Sequence, residues 1–126
     1  MNPAADALIL FAHGARDPEW RAPVDALAQR LRESMLGVRV DVAFLEFMQP
    51  TLNETIDLAV RAGARRVAIA PLFWAEGGHL KREVPLLLAA AQQAHPGVAF
   101  ERWPVLGDIP EVLDALAGVY AERWRA

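Results

Sequence analysis

Val67-Ala-Ile-Ala-Pro-Leu-Phe73 is an apolar run, followed by the loop Trp74-Ala-Glu-Gly-Gly78 and then by a helix-forming segment from about His79 to Ala94. A charge-free run of this length reads as a strand buried on both faces, and such strands belong to parallel sheets. Towards the N-terminus, Val38–Leu45 and Ala7–Ala12 are two further runs; towards the C-terminus, Val98–Trp103 is a weaker one. Helical patterns fill the intervals. Asp17 followed by Pro18 is a capping side chain before a first-turn proline. Val24, Leu27, Leu31 and Met35 then recur at helical spacing, with Arg30, Arg32 and Glu33 on the other face. Gly37 ends that helix. Pro50-Thr51 opens a second one, Leu52–Ala62, which stops at Gly63. His95-Pro96-Gly97 breaks the third, and the last runs from about Ile109 to Trp124. Strand and helix alternate four times with no linker, which predicts one domain over residues 1–126. Its expected architecture is three-layer α/β/α, with a four-stranded parallel sheet wound by right-handed crossovers. The strand segments between the helices argue against a helical solenoid.

Composition narrows the function classes. The chain has 126 residues, of which 54% are hydrophobic, enough for a real core. No apolar stretch approaches the roughly 18 residues of a membrane helix, so no membrane partner is expected. Met1–Asp6 has no basic region, so no leader peptide is expected. Cysteine is absent, which removes disulfides, thiolate metal sites and an iron–sulfur cluster and makes a cytoplasmic setting the expectation. A net charge of −3 carries no footprint for nucleic acid. An acidic ligand would need local basic residues.

His13, Glu46 and His79 each stand at or just beyond the end of an apolar run, at equal intervals of 33 residues. That interval is about one βαβ unit. In a parallel sheet the three loops lie along the edge outside the strand C-termini, where open α/β sheets bind ligands. Two imidazoles and a carboxylate can hold a first-row divalent metal and leave positions open for chemistry. Singly each residue has a plainer reading: His13 could bond a nearby carbonyl, Glu46 could be a solvated acid, and His79 could decorate a helix start. Together they form the one set of His and Glu at these three strand ends. His95, beside Pro96 at a helix C-terminus, reads as structural. Gly77-Gly78 would let backbone amides and the following helix start approach a ligand, or would simply form a loop tip. Phe44, Phe47, Met48, Phe73 and Trp74 could line an apolar cleft, although several must be core and alternation does not separate them. Arg16, Lys81 and Arg82 flank the two histidines and could pair with ligand carboxylates, against the commoner solvated role.

Three segments carry a family resemblance: Leu8–Pro18 (LILFAHGARDP), Val42–Pro50 (VAFLEFMQP) and Ala70–Pro85 (APLFWAEGGHLKREVP). On these the chain resembles the small, single-domain sirohydrochlorin chelatases, the CbiX-like family of class II chelatases, over nearly its whole length. It departs at Ala15, where a serine is usual, at Glu83-Val84, where Asp-Ile is commoner, and at Trp74, normally a smaller apolar residue. The resemblance implies a flavodoxin-like half-chelatase unit that inserts Co²⁺, Ni²⁺ or Fe²⁺ into sirohydrochlorin or a related tetrapyrrole. His13 and His79 would bind the incoming metal and Glu46 would assist, all three being catalytic. Arg16, Lys81 and Arg82 would hold ring carboxylates, Phe47 and Trp74 would cover the ring face, and Gly77 and Gly78 would line the site. The divalent metal is then substrate, no organic cofactor is needed, and a homodimer with its cleft between equivalent halves is implied. The rival reading is a metal or tetrapyrrole carrier without turnover. A nucleotide binder is disfavoured because neither a P-loop nor a dinucleotide glycine fingerprint is present.

Overall fold

The computed structural model describes residues 6–126. Met1–Ala5, most of the stretch read as lacking a leader, lie outside them. Strands β1 (Asp6–Ala12), β2 (Arg39–Phe44), β3 (Arg66–Pro71) and β4 (Ala99–Arg102) alternate with helices α1 (Ala22–Ser34), α2 (Leu52–Arg61), α3 (Gly78–Ala94) and α4 (Pro110–Arg125). The sheet is wholly parallel in the order β2-β1-β3-β4. The α/β fold expected from the alternation is thus present, with β1 and β3 as the two central strands.

β1 covers its whole apolar run, whereas β2, β3 and β4 are each a residue or two shorter than theirs. Leu45, Leu72, Phe73 and Trp103 fall in the connections, although Phe73 stays buried there. The reason is the sheet edge: backbone beyond the strand ends turns to meet the neighbouring loop, so Leu45 and Leu72 are partly covered and Trp103 is exposed. Thr51 starts α2 with a full capping box, its hydroxyl accepting from the Glu54 amide and the Glu54 carboxylate accepting from the Thr51 amide. Asp17 caps as expected, accepting from the Glu19 amide at 2.9 Å. What it opens, however, is a 3₁₀ turn, Pro18–Arg21, and the α-helix begins only at Ala22. Pro23 has no N–H to give the Glu19 carbonyl, so one continuous α-helix cannot run through both prolines.

Two apolar clusters lie on opposite faces of the sheet. Ile9, Phe11, Val67 and Ile69 pack with Ile56 and Ala59 of α2 and Val84 and Ala91 of α3. Leu8, Leu10, Val40, Val42 and Phe44 pack with Val24, Ala28 and Leu31 of α1. Leu27, expected on that face, is 38% exposed, because the buried stripe runs 24, 28, 31 and 35 and leaves position 27 at its margin. His95 caps the end of α3 and bonds Asp57 of α2 through Nε2 at 2.8 Å, the structural role expected of it. α4 contributes to neither cluster. Among the described residues no helix is long and apolar enough to cross a membrane.

Candidate functional site

β1 and β2 pair in register up to Ala12 beside Phe44, and the pairing continues past the strand ends. The Leu45 amide donates to the Ala12 carbonyl at 2.9 Å, and the Glu46 amide to the His13 carbonyl at 3.1 Å. That register places the two loops side by side, and His13 Nε2 lies 2.7 Å from Glu46 Oε2. Both side chains are about half exposed, so the pair is open to a ligand from solvent. Gly14 makes this approach possible. Its φ is +94°, and a Cβ there would collide with the Glu46 carbonyl oxygen. On the far side, Phe47 also has a positive φ, +67°, which turns the loop sharply after Glu46 and presents the Phe47 ring outward, 55% exposed. The Arg16 guanidinium stacks over that ring at 4.8 Å. The His13 ring meets the edge of buried Phe73, centroids 6.2 Å apart, so its orientation is supported from below.

His79 belongs to the same edge but not to the pair. It lies in the first turn of α3, and its Nε2 is 2.8 Å from a carboxylate oxygen of Glu83, one turn on. Among the described residues no three His, Asp or Glu side chains are gathered closely enough to hold a metal. The three loops expected to converge therefore do so as backbone, while as side chains only His13 and Glu46 come together. The difference is physical. β1 and β2 deliver their residues directly from the strand ends, whereas β3 is followed by six loop residues before α3 begins at Gly78. Gly77 is open, with nothing near a would-be Cβ, and at Gly78 only the far end of Arg82 comes as close as 4.0 Å.

The apolar candidates now separate. Phe44 and Phe73 are core, with Phe11 meeting Phe73 edge-on at 5.5 Å, while Trp74 is 56% exposed like Phe47. Met48 is partly buried against the α1-side cluster. Arg82 joins His79, Glu83 and Leu86 along an open groove on α3, whereas Lys81 makes no side-chain hydrogen bond or ion pair among the described residues.

Residues that sequence reasoning did not single out hold the β3–α3 loop. Arg102, at the end of β4, forms an ion pair with Glu76, whose Oε1 is shut off from solvent. The Leu106 and Gly107 amides donate to the carbonyls of Phe73 and Trp74 at 2.9 and 2.8 Å. Nothing in the spacing of Glu76 and Arg102 announces their pairing, since it depends on β3 and β4 being neighbours. Glu83 was legible as a partner four residues along a helix from His79.

The sequence model of the CbiX family matches residues 7–123. The chain is 35% identical over 83 residues to the sirohydrochlorin cobaltochelatase of Methanococcus aeolicus, a match covering 66% of this chain and 58% of that protein. It therefore spans well under two thirds of that curated relative's length. The crystal structure of a CbiX protein from Marinobacter aquaeolei superposes with a TM-score of 0.83 at 28% identity, over 95% of this chain and 98% of that one. The sirohydrochlorin chelatase SirB from Bacillus subtilis subspecies spizizenii, solved in complex with cobalt, has a TM-score of 0.79 at 22% identity. That likeness, one of fold, covers 97% of this chain and 51% of that one.

Proposed function

The chain belongs to the CbiX family, and from that premise and the geometry of its site we propose that it inserts a divalent metal, Co²⁺, Ni²⁺ or Fe²⁺, into sirohydrochlorin or a related tetrapyrrole. The observation that carries this is the His13–Glu46 contact at 2.7 Å on adjoining strand ends. Two donors on one metal, each about 2.0–2.2 Å from it, sit about 3 Å apart. The pair thus needs only a few tenths of an ångström of opening to become one edge of a coordination shell. His79 would supply the third donor, leaving Glu83 as the first turn of α3 adjusts at the unobstructed Gly77-Gly78. Half-exposed ligands suit a metal that must leave again.

Insertion forms bonds from ring nitrogens to the metal and releases two pyrrole protons. His13, His79 and Glu46 then have a second task as acceptors of those protons while the metal passes to the ring. Phe47 and Trp74 would cover the ring face. Arg16, Lys81 and Arg82 would hold its carboxylates, with Gly77 and Gly78 allowing close backbone approach. The metal is substrate in this scheme, and no organic cofactor takes part. Residues 1–126 would act as one domain in a cytoplasmic setting, which fits a chain without cysteine. The protein would work as a homodimer whose cleft lies between equivalent halves. In support, this fold unit matches 98% of one relative but only 51% of the longer SirB chain.

The test follows the absorption spectrum of anaerobic sirohydrochlorin with each metal at substoichiometric protein. Turnover above the spontaneous rate, lost in both His13→Ala and His79→Ala, is the expected result. Stoichiometric binding without turnover would make the protein a carrier, and no binding would remove sirohydrochlorin as ligand.

A further inference from the structure

We propose that Arg102 and Gly107 are positioning residues for metal transfer: from β4 and the turn after it they hold the β3–α3 loop, and so set the place from which His79 reaches the metal. This rests on the reading of His79 as a metal ligand given above and adds what puts it there.

The need for such a hold follows from the chain path. His13 directly follows the last residue of β1 and Glu46 stands two residues past β2, so the sheet itself places both. His79 stands eight residues past Pro71, the last of β3. An untethered stretch of that length could span about 26 Å. The body of α3 gives its first turn little support. Its first buried residue is Val84, and the helix starts at Gly77 without a side-chain cap. Pro85 inside the helix has no N–H to give the Lys81 carbonyl, so the turn carrying His79 is poorly joined to the turns packed on the sheet.

The loop supplies the anchors that the helix lacks. The Leu72 amide donates to the Phe11 carbonyl at 2.8 Å and ties the loop's start to β1. Leu106 and Gly107, in the 3₁₀ turn Leu106–Asp108, bind the Phe73 and Trp74 carbonyls. A Cβ at position 107 would come within 2.5 Å of the Trp74 carbonyl oxygen, so this approach needs glycine, as the Glu46 loop needs Gly14. The last anchor is a side chain. Phe100 packs against the α2–α3 core, and by strand alternation Arg102 lies on the same face, nearer the edge where the strands end. There it pairs with Glu76, both side chains being mostly covered. Without that partner a shielded carboxylate moves out to water and takes the loop with it. Glu76 is also the last residue before Gly77 and Gly78, which stand in open space or touch only the end of Arg82. The freedom left to His79 is therefore a pivot on two residues. A short pivot suits a donor that must join a metal and give it up, because little disorder is lost at each step.

The experiment titrates the full chain with Co²⁺ by calorimetry. The variants are Arg102→Gln, Gly107→Ala, His79→Ala and the two doubles that combine His79→Ala with each of the others. Circular dichroism and urea unfolding set a temperature at which every variant is folded. Gly107→Ala loosens the loop without removing a charge, so it carries the test should Arg102→Gln fail to fold. His95→Ala, at the other end of α3, controls for lost stability alone. Arg102→Gln and Gly107→Ala are expected to weaken Co²⁺ binding about tenfold or more, and His95→Ala to bind like the wild type. Once His79 is alanine, neither loop change should matter by more than about twofold. Wild-type affinity in Arg102→Gln or Gly107→Ala, an equal loss with and without His79, or a loss as large in His95→Ala would overturn the hold on His79 and leave the metal site standing. A wild type that binds no Co²⁺, or a His79→Ala variant that binds it as well as the wild type, would overturn the reading of His79 as a ligand and this proposal with it.

Discussion

Gly14→Ala should damage stability and metal binding together, and its size can be worked from two glycines of this chain. At Gly14 φ is +94° and the new Cβ would run into the Glu46 carbonyl, whose carbon also lies within 3.1 Å of it. At Gly37 φ is +85°, and nothing stands within 4 Å of an added Cβ. Backbone strain of about 1–2 kcal/mol applies to both, offset by about 0.4–1 kcal/mol because alanine has fewer unfolded conformations to lose. Gly37→Ala should therefore cost about 1 kcal/mol. At Gly14 the Glu46 carbonyl must also move, weakening the Glu46-to-His13 and Leu45-to-Ala12 backbone bonds, each worth about 0.5–1.5 kcal/mol. The expected cost at Gly14 is about 2–3 kcal/mol, and a loss of about 10 °C in Tm goes with it. Since the same shift pulls Glu46 away from His13, Co²⁺ affinity should fall about tenfold or more. Urea midpoints at unchanged slope and Co²⁺ titration calorimetry measure the two effects. If Gly14→Ala is no more destabilising than Gly37→Ala and binds Co²⁺ like the wild type, the argument that Gly14 exists to let the Glu46 loop approach is wrong.

His13→Ala should abolish metal insertion while moving the urea midpoint by less than about 1 kcal/mol, because the side chain it removes is half exposed and its ion pair is worth little in water. Arg102→Ala should cost about 1–3 kcal/mol by leaving the shielded Glu76 oxygen without its partner. Arg102→Ala with Glu76→Gln should recover part of that, so a double-mutant cycle with coupling below about 0.5 kcal/mol would show the pair to be incidental. Thr51→Ala removes the hydroxyl of the α2 capping box and should lower stability by about 1 kcal/mol, read from the same denaturant midpoint. His95→Ala, which cuts the link from α3 to Asp57, should lower stability but leave the rate of metal insertion per folded molecule unchanged in the sirohydrochlorin assay.

The order of strands and helices was legible in the chain because its causes are local. Apolar runs of strand length, the Asp17-Pro18 and Pro50-Thr51 starts and the Gly37 and Gly63 stops act within a few residues of where they stand. The strand ends carrying His13 and Glu46 were legible for the same reason. Their contact was not, since it requires β2 to lie beside β1 with Ala12 in register with Phe44, a pairing between segments far apart in sequence. Tertiary structure also sorted the aromatics, burying Phe44 at the end of β2 and Phe73 beyond β3 and leaving Phe47 and Trp74 outside, and for the three in loops no strand alternation applies. It joined Glu76 to Arg102 across neighbouring strands and turned His79 to Glu83 rather than to His13. The same apolar spacing that announces the other three helices announces α4, but periodicity names the face to be covered and not the surface that covers it. For α4 the folded chain covers little of that face, none of its residues being buried.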